Sequence, residues 1–139
     1  MRTVGYALLA VFLGCAAPGP DLSPEVIWVT MRTVELEGVT PRDLEVIRRL
    51  PLQFSTLEGG LVEPRSGLPV STITVGELGS GEERRVGGSL IQLLVETITA
   101  HYAREERVGT RVDITQGALD RVLAGDPTLV IRVRATPTP

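Results

Sequence analysis

His101 is the single histidine in a chain of 139 residues, so chemistry is sought there first. Imidazole titrates near neutrality without a shifted pKa and is the commonest metal ligand. A zinc site needs further ligands, and the sequence holds no second histidine and one cysteine, Cys15. A catalytic triad would need a nucleophile in a recognisable setting, and no Gly-x-Ser-x-Gly elbow occurs. His101 follows Ile98 by three positions and Leu94 by seven, at the edge of an apolar helical stripe. It reads as a boundary residue.

The paired carboxylates Glu82-Glu83 and Glu105-Glu106 have arginines close by in sequence. They read as solvated charge clusters, not as groups shifted for acid–base work. Gly76–Gly88 (GELGSGEERRVGG) is glycine-rich but lacks the lysine of a phosphate loop and the spacing of a dinucleotide fingerprint; it predicts a flexible loop. The expectation is a protein that is not an enzyme and that carries no metal and no cofactor. Aromatic residues make up 4% of the chain, too few for a stacking platform, and the net charge is −3. The basic residues are all arginine, interleaved with acids and forming no stripe, so no nucleic-acid partner is expected.

Cys15 carries the other chemical signal. Arg2 precedes an uncharged, mostly apolar run, Val4–Gly14, and then the small residues Gly14-Cys15-Ala16-Ala17. These are the three zones of a secretory signal. The run is shorter than the roughly 20 apolar residues that a bilayer-spanning helix needs, and Pro18 and Pro20 break it. Leu13-Gly14-Cys15 resembles a lipoprotein signal box, in which the cysteine thiol is lipidated and becomes the mature N-terminus. Phe12 stands where that box prefers leucine. Cleavage near Ala16–Ala17, with Cys15 discarded, is the alternative. Ala16 in place of aspartate favours the outer membrane, with the domain facing the periplasm; without lipidation it would be soluble there.

The expected organisation is a signal peptide over 1–14, a lipidated cysteine and Pro/Gly tether over 15–24, one domain over 25–135 and a tail over 136–139. Val26–Val39 has strand chemistry, with an alternation that slips between Trp28 and Val34 and predicts a bulge or two strand pieces. Trp28 is either a core anchor or an exposed contact. Thr40-Pro41-Arg42-Asp43 signals a helix start, with Leu44, Ile47 and Leu50 as its stripe and Pro51 as its stop. Leu52–Gly81 predicts a hairpin-like excursion with Val70–Val75 as a strand, followed by a solvated loop over Gly79–Arg85. A second helix has Ser89–Gln92 as a capping box and Leu90, Leu94, Ile98 and Tyr102 as its stripe. Val108–Ile114 alternates as a half-buried strand. Gln116–Ala124 fits a short helix ended by Gly125, and Leu129–Ala135 a last strand.

The fold class expected is therefore α+β: a small two-layer sheet with helices on one face, in β-α-α-β-β order, with a long insertion over about 52–88. Val34–Val39, Leu93–Val112 and Leu129–Arg134 resemble the first strand and glycine turn, the second helix with its exit, and the closing strand of the polypeptide-transport-associated (POTRA) domain. That family serves bacterial outer-membrane assembly and two-partner secretion. The insertion is far longer than the family's link between helices, and no β-barrel sequence follows, so the expectation is a detached periplasmic module.

The resemblance implies a protein partner that adds a strand to the edge Val108–Ile114, with Val108, Thr110, Arg111, Val112 and Asp113 as the contact residues. Arg111 and Asp113 either select that partner or guard the edge against aggregation. The rival expectation is a small accessory structural subunit of a larger envelope complex, docked through Leu52–Val75 with Phe54, Leu57, Leu61 and Val62 as its apolar patch. In both, the membrane is met only through the N-terminal lipid.

Overall fold

The computed structural model describes residues 26–107 and 109–134. Cys15, the signal and tether segments, Val108, Ala135 and the tail over 136–139 lie outside the described residues. No helix among those described is long and apolar enough to cross a membrane.

The β-branched run after Ile27 forms two strands, β1 (Trp28–Met31) and β2 (Thr33–Glu37), which belong to different sheets. The chain changes sheet at Arg32, where the N–H groups of Arg32 and Thr33 both donate to the Pro127 carbonyl at 2.7 and 3.2 Å. This is why the alternation slips: each piece keeps its own phase against its own core. Gly38 then turns the chain at φ +80°, with backbone so close to the Val133 carbonyl that a Cβ would stand 2.1 Å from its oxygen. Only glycine fits both constraints.

Helix α1 (Pro41–Arg48) starts as its sequence predicts. The Thr40 hydroxyl accepts from the Asp43 N–H at 3.2 Å, and Pro41 takes the first turn, where no N–H is needed. Pro51 ends the helical region and opens β3 (Pro51–Leu57), which turns at Glu58-Gly59 into β4 (Gly60–Val62). Then come β5 (Ser71–Thr74), the short α2 (Val75–Leu78) and β6 (Arg84–Gly87). The glycine-rich stretch is thus part helix and part strand, not a continuous loop.

The insertion is more than a hairpin. With β1 it builds a five-stranded sheet in the order β1-β6-β4-β3-β5. Val62 is fully buried, and Phe54 and Leu61 pack against the core. The excursion is part of the fold; of the predicted patch, Leu57 alone is neither fully buried nor packed against the core cluster. Trp28 is half-buried, its ring against Gly60 and under the Arg85 guanidinium at 4.3 Å.

Helix α3 (Gly88–Arg104) carries the predicted stripe, with Leu90, Leu94 and Ile98 fully buried. Its predicted capping box does not form. The N-cap is Gly87, without a side-chain cap, which leaves Ser89 one residue inside the helix with its hydroxyl donating to Glu63. A capping box does form at α2, between Thr74 and Glu77.

After α3 come β7 (Arg111–Asp113), α4 (Gln116–Leu123) and β8 (Thr128–Arg134). Gly125 has the expected left-handed backbone, φ +110°. The second sheet has the order β2-β8-β7, with β2 parallel and β7 antiparallel to the central β8. Leu129, Ile131 and Val133 point into one core that both sheets share, and α3 packs on β3, β4, β6 and β7. The α+β class expected from the sequence is the class observed.

Candidate functional site

Both flanks of the three-stranded sheet are strands, but only one is open. Against β2 the backbone at Gly79 comes so close that a Cβ there would meet the Val34 nitrogen at 2.8 Å, and the Gly81 N–H donates to the Arg32 carbonyl at 2.9 Å. The segment after α2 thus covers that side. On the other flank, β7 pairs with β8, and no strand among the described residues pairs with its outer side.

This edge is shorter than the predicted Val108–Ile114. Thr110 lies in the turn before β7, where its N–H donates to the Arg107 carbonyl at 3.2 Å, so it is not a mid-strand donor. Arg111, Val112 and Asp113 form the strand, opposite Arg134, Val133 and Arg132 respectively. Val112 packs against the core, while Arg111 and Asp113 stand on the polar face of the sheet.

Asp113 accepts from the Arg132 Nε at 3.2 Å and from an Arg134 terminal nitrogen at 3.0 Å. Those bonds, Arg132's first, hold its carboxyl below the ordinary aspartate range. Its charge is spent on the neighbouring strand. Arg111 faces another arginine, Arg134, and has no acidic partner among the described residues. Of the two charges expected at this edge, one is a cross-strand clamp and the other has no ion-pair partner among the described residues.

A second polar group sits where α3 exits toward β7. His101 is 5% exposed, a correction to the boundary position expected for it. Its Nε2 has no hydrogen-bond partner among the described residues and lies 3.9 Å from a Glu105 oxygen. Asp43, on α1, is 6% exposed and takes a two-pronged bond from Arg107 at 2.8 and 3.0 Å. Arg107 also bonds Glu105 at 3.1 Å and lies 5.2 Å from the Tyr102 ring centre.

The Arg107 guanidinium holds the Asp43 carboxyl below its usual range against the opposing effect of burial. Burial, followed by the charge of Asp43, pushes the Tyr102 hydroxyl up. The side chains of Asp43, His101 and Glu105 present ligand atoms all within 4.8 Å of one another. Nothing in the sequence alone points to this group. Asp43 was legible as a first-turn acid that favours the helix dipole, and Glu105 as part of a solvated pair. Nothing local to either points to a histidine that α3 delivers from 58 positions beyond Asp43 (101 − 43).

Compared with protein-family models, with curated proteins and with solved structures, the chain matches none.

Proposed function

We propose that this domain is a non-enzymatic interaction module of the bacterial cell envelope, exported and anchored through a lipidated Cys15 facing the periplasm. In this reading it holds a protein partner by strand addition along the outer side of β7. One observation carries it: among the described residues no strand pairs with the outer side of β7, and Arg111 has no ion-pair partner. An extended segment laid against β7 would complete the ladder with its own N–H and C=O groups, and an acidic side chain on it would neutralise Arg111. The POTRA-like order of β2, α1, α3, β7 and β8, with β7 at the rim, supports the same reading and a role in outer-membrane assembly or secretion.

Proline substitutions test it. Successive N–H groups along a strand point to opposite sides, so of Arg111→Pro and Val112→Pro one removes a bond to β8 and the other an outward donor. The first should lower the melting temperature; the second should leave it nearly unchanged. Recovered from native membranes, the well-folded proline variant and Arg111→Glu should both have lost the partner that the wild-type chain retains. Retention of that partner by both variants rejects the edge.

A permanently built-in accessory subunit is the second reading, favoured by the uncharged edge of β5, next to Val70, which is 51% exposed. A stable stoichiometric assembly unaffected by the β7 variants would select it.

A further inference from the structure

We propose that Asp43, His101 and Glu105 form a binding site for a divalent transition-metal ion of the zinc class, with Arg107 as the cation that occupies it until the metal arrives. Three donors from three places converge: a carboxylate from α1, an imidazole from α3 and a carboxylate from the residue that caps α3. Their atoms lie within 4.8 Å of one another, and the His101 Nε2 and Glu105 oxygen are already 3.9 Å apart. Zinc bonds of about 2.0–2.2 Å require donors somewhat closer than this. Glu105 can supply the contraction, because its side chain is 43% exposed at a helix end.

The unpartnered, buried Nε2 points to a ligand beyond the arginine. Arg107 answers both carboxylates but leaves the imidazole nitrogen without a bond. A metal ion takes the imidazole lone pair and both carboxylates together, and two negative charges with a neutral imidazole balance a divalent ion. One nitrogen and two oxygens suit zinc-class ions better than calcium, which favours an all-oxygen shell. Arg107 reaches the site with a side chain that is 41% exposed, so its guanidinium can swing into water as the ion takes its place beside Asp43. Loading the site would replace its guanidinium with the ion and leave the remaining coordination position to water.

Cobalt(II) absorption and calorimetric zinc titration of the full chain test this, with Cys15→Ser present so that its thiol does not compete for the metal. The expected result is one ion per chain. Glu105→Gln, at an exposed position that should not disturb folding, should weaken binding about 10-fold or more, and His101→Gln should do the same. Arg107→Met should tighten it, because no resident cation then has to be displaced. No one-to-one binding by the parent chain overturns the site. So does equal affinity in Glu105→Gln and His101→Gln, or weaker binding in Arg107→Met.

Discussion

The two sheets share a helix and a core but end differently. The three-stranded sheet finishes in β7, a rim of Arg111, Val112 and Asp113 whose aspartate is clamped to β8 and whose arginine has no ion-pair partner among the described residues. The five-stranded sheet finishes in β5, Ser71-Thr72-Ile73-Thr74, with no charge at all and an exposed valine beside it. Charge on an edge is the ordinary guard against unwanted strand pairing. The comparison sets a three-residue edge that carries two charges against a four-residue edge that carries none. On the small sheet's side, buried Asp43 and His101 sit with the exposed Arg107, which ties α1 to the approach of β7, whereas the large sheet buries Ser55 on β3, which accepts from the Arg65 N–H.

The largest expected effect tests whether the two sheets can be compared as parts of one body. Leu94 and Ile98 are fully buried on the helix that packs against both. Truncating either to alanine should cost about 2–5 kcal/mol in urea denaturation, as deletion of well-buried aliphatic groups does. Fluorescence and circular dichroism should follow one transition. Separate transitions would mean that the sheets unfold independently and that α3 does not join them.

Next comes the tie between α1 and the exit of α3. Arg107→Ala leaves the buried Asp43 carboxylate without its cation, whereas Asp43→Asn removes the buried charge together with its need for one. Thermal melts should therefore show the larger loss for Arg107→Ala. The folded pKa of Asp43 is depressed, so its contribution is present above the unfolded value, about 3.9, and is lost as pH falls through the folded value. The wild-type melting temperature should drop below about pH 4, and Asp43→Asn should flatten that slope. An unchanged slope would mean that the acid loss comes from other carboxylates.

The edge clamp is expected to matter less. Asp113 is half-buried, with 38% of its side chain open to salt and water, so Asp113→Asn should cost under about 1 kcal/mol, and added salt should shrink the difference. The smallest effects on stability sharpen the contrast of edges. Arg111→Thr on β7 and Thr72→Lys on β5 should each change stability by no more than about 0.5 kcal/mol. Light scattering at high concentration should show more self-association for the first and less for the second. The reverse order would make β5 the guarded edge.

Much of this architecture is readable one element at a time. Thr40-Pro41-Arg42-Asp43 carries its own cap, and the four-residue recurrence of Leu90, Leu94, Ile98 and Tyr102 identifies both the helix and its buried face. Gly125 marks the end of α4, and Leu129, Ile131 and Val133 declare the inner face of β8. Local reading failed where two local signals competed. Ser89–Gln92 has the residue types of a capping box, yet α3 begins earlier because β6 runs directly into it at Gly87 and Gly88. The true box, Thr74–Glu77, has the same pattern with fewer helical residues after it to draw attention.

By itself the sequence determines the α+β class, the helices and their apolar faces, and the outward charges of the rim strand. These depend on spacings of two to four residues, over which side-chain direction follows from backbone geometry alone. Only the tertiary structure decides that β1 and β2 part into different sheets, that the insertion becomes a five-stranded sheet, and that β7 rather than β2 is left open. It alone brings Arg107 to Asp43 and delivers His101 beside them. Each of these joins residues far apart in the chain, and a pairing at that distance leaves no periodicity behind it. It is selected by the burial that all the elements achieve together.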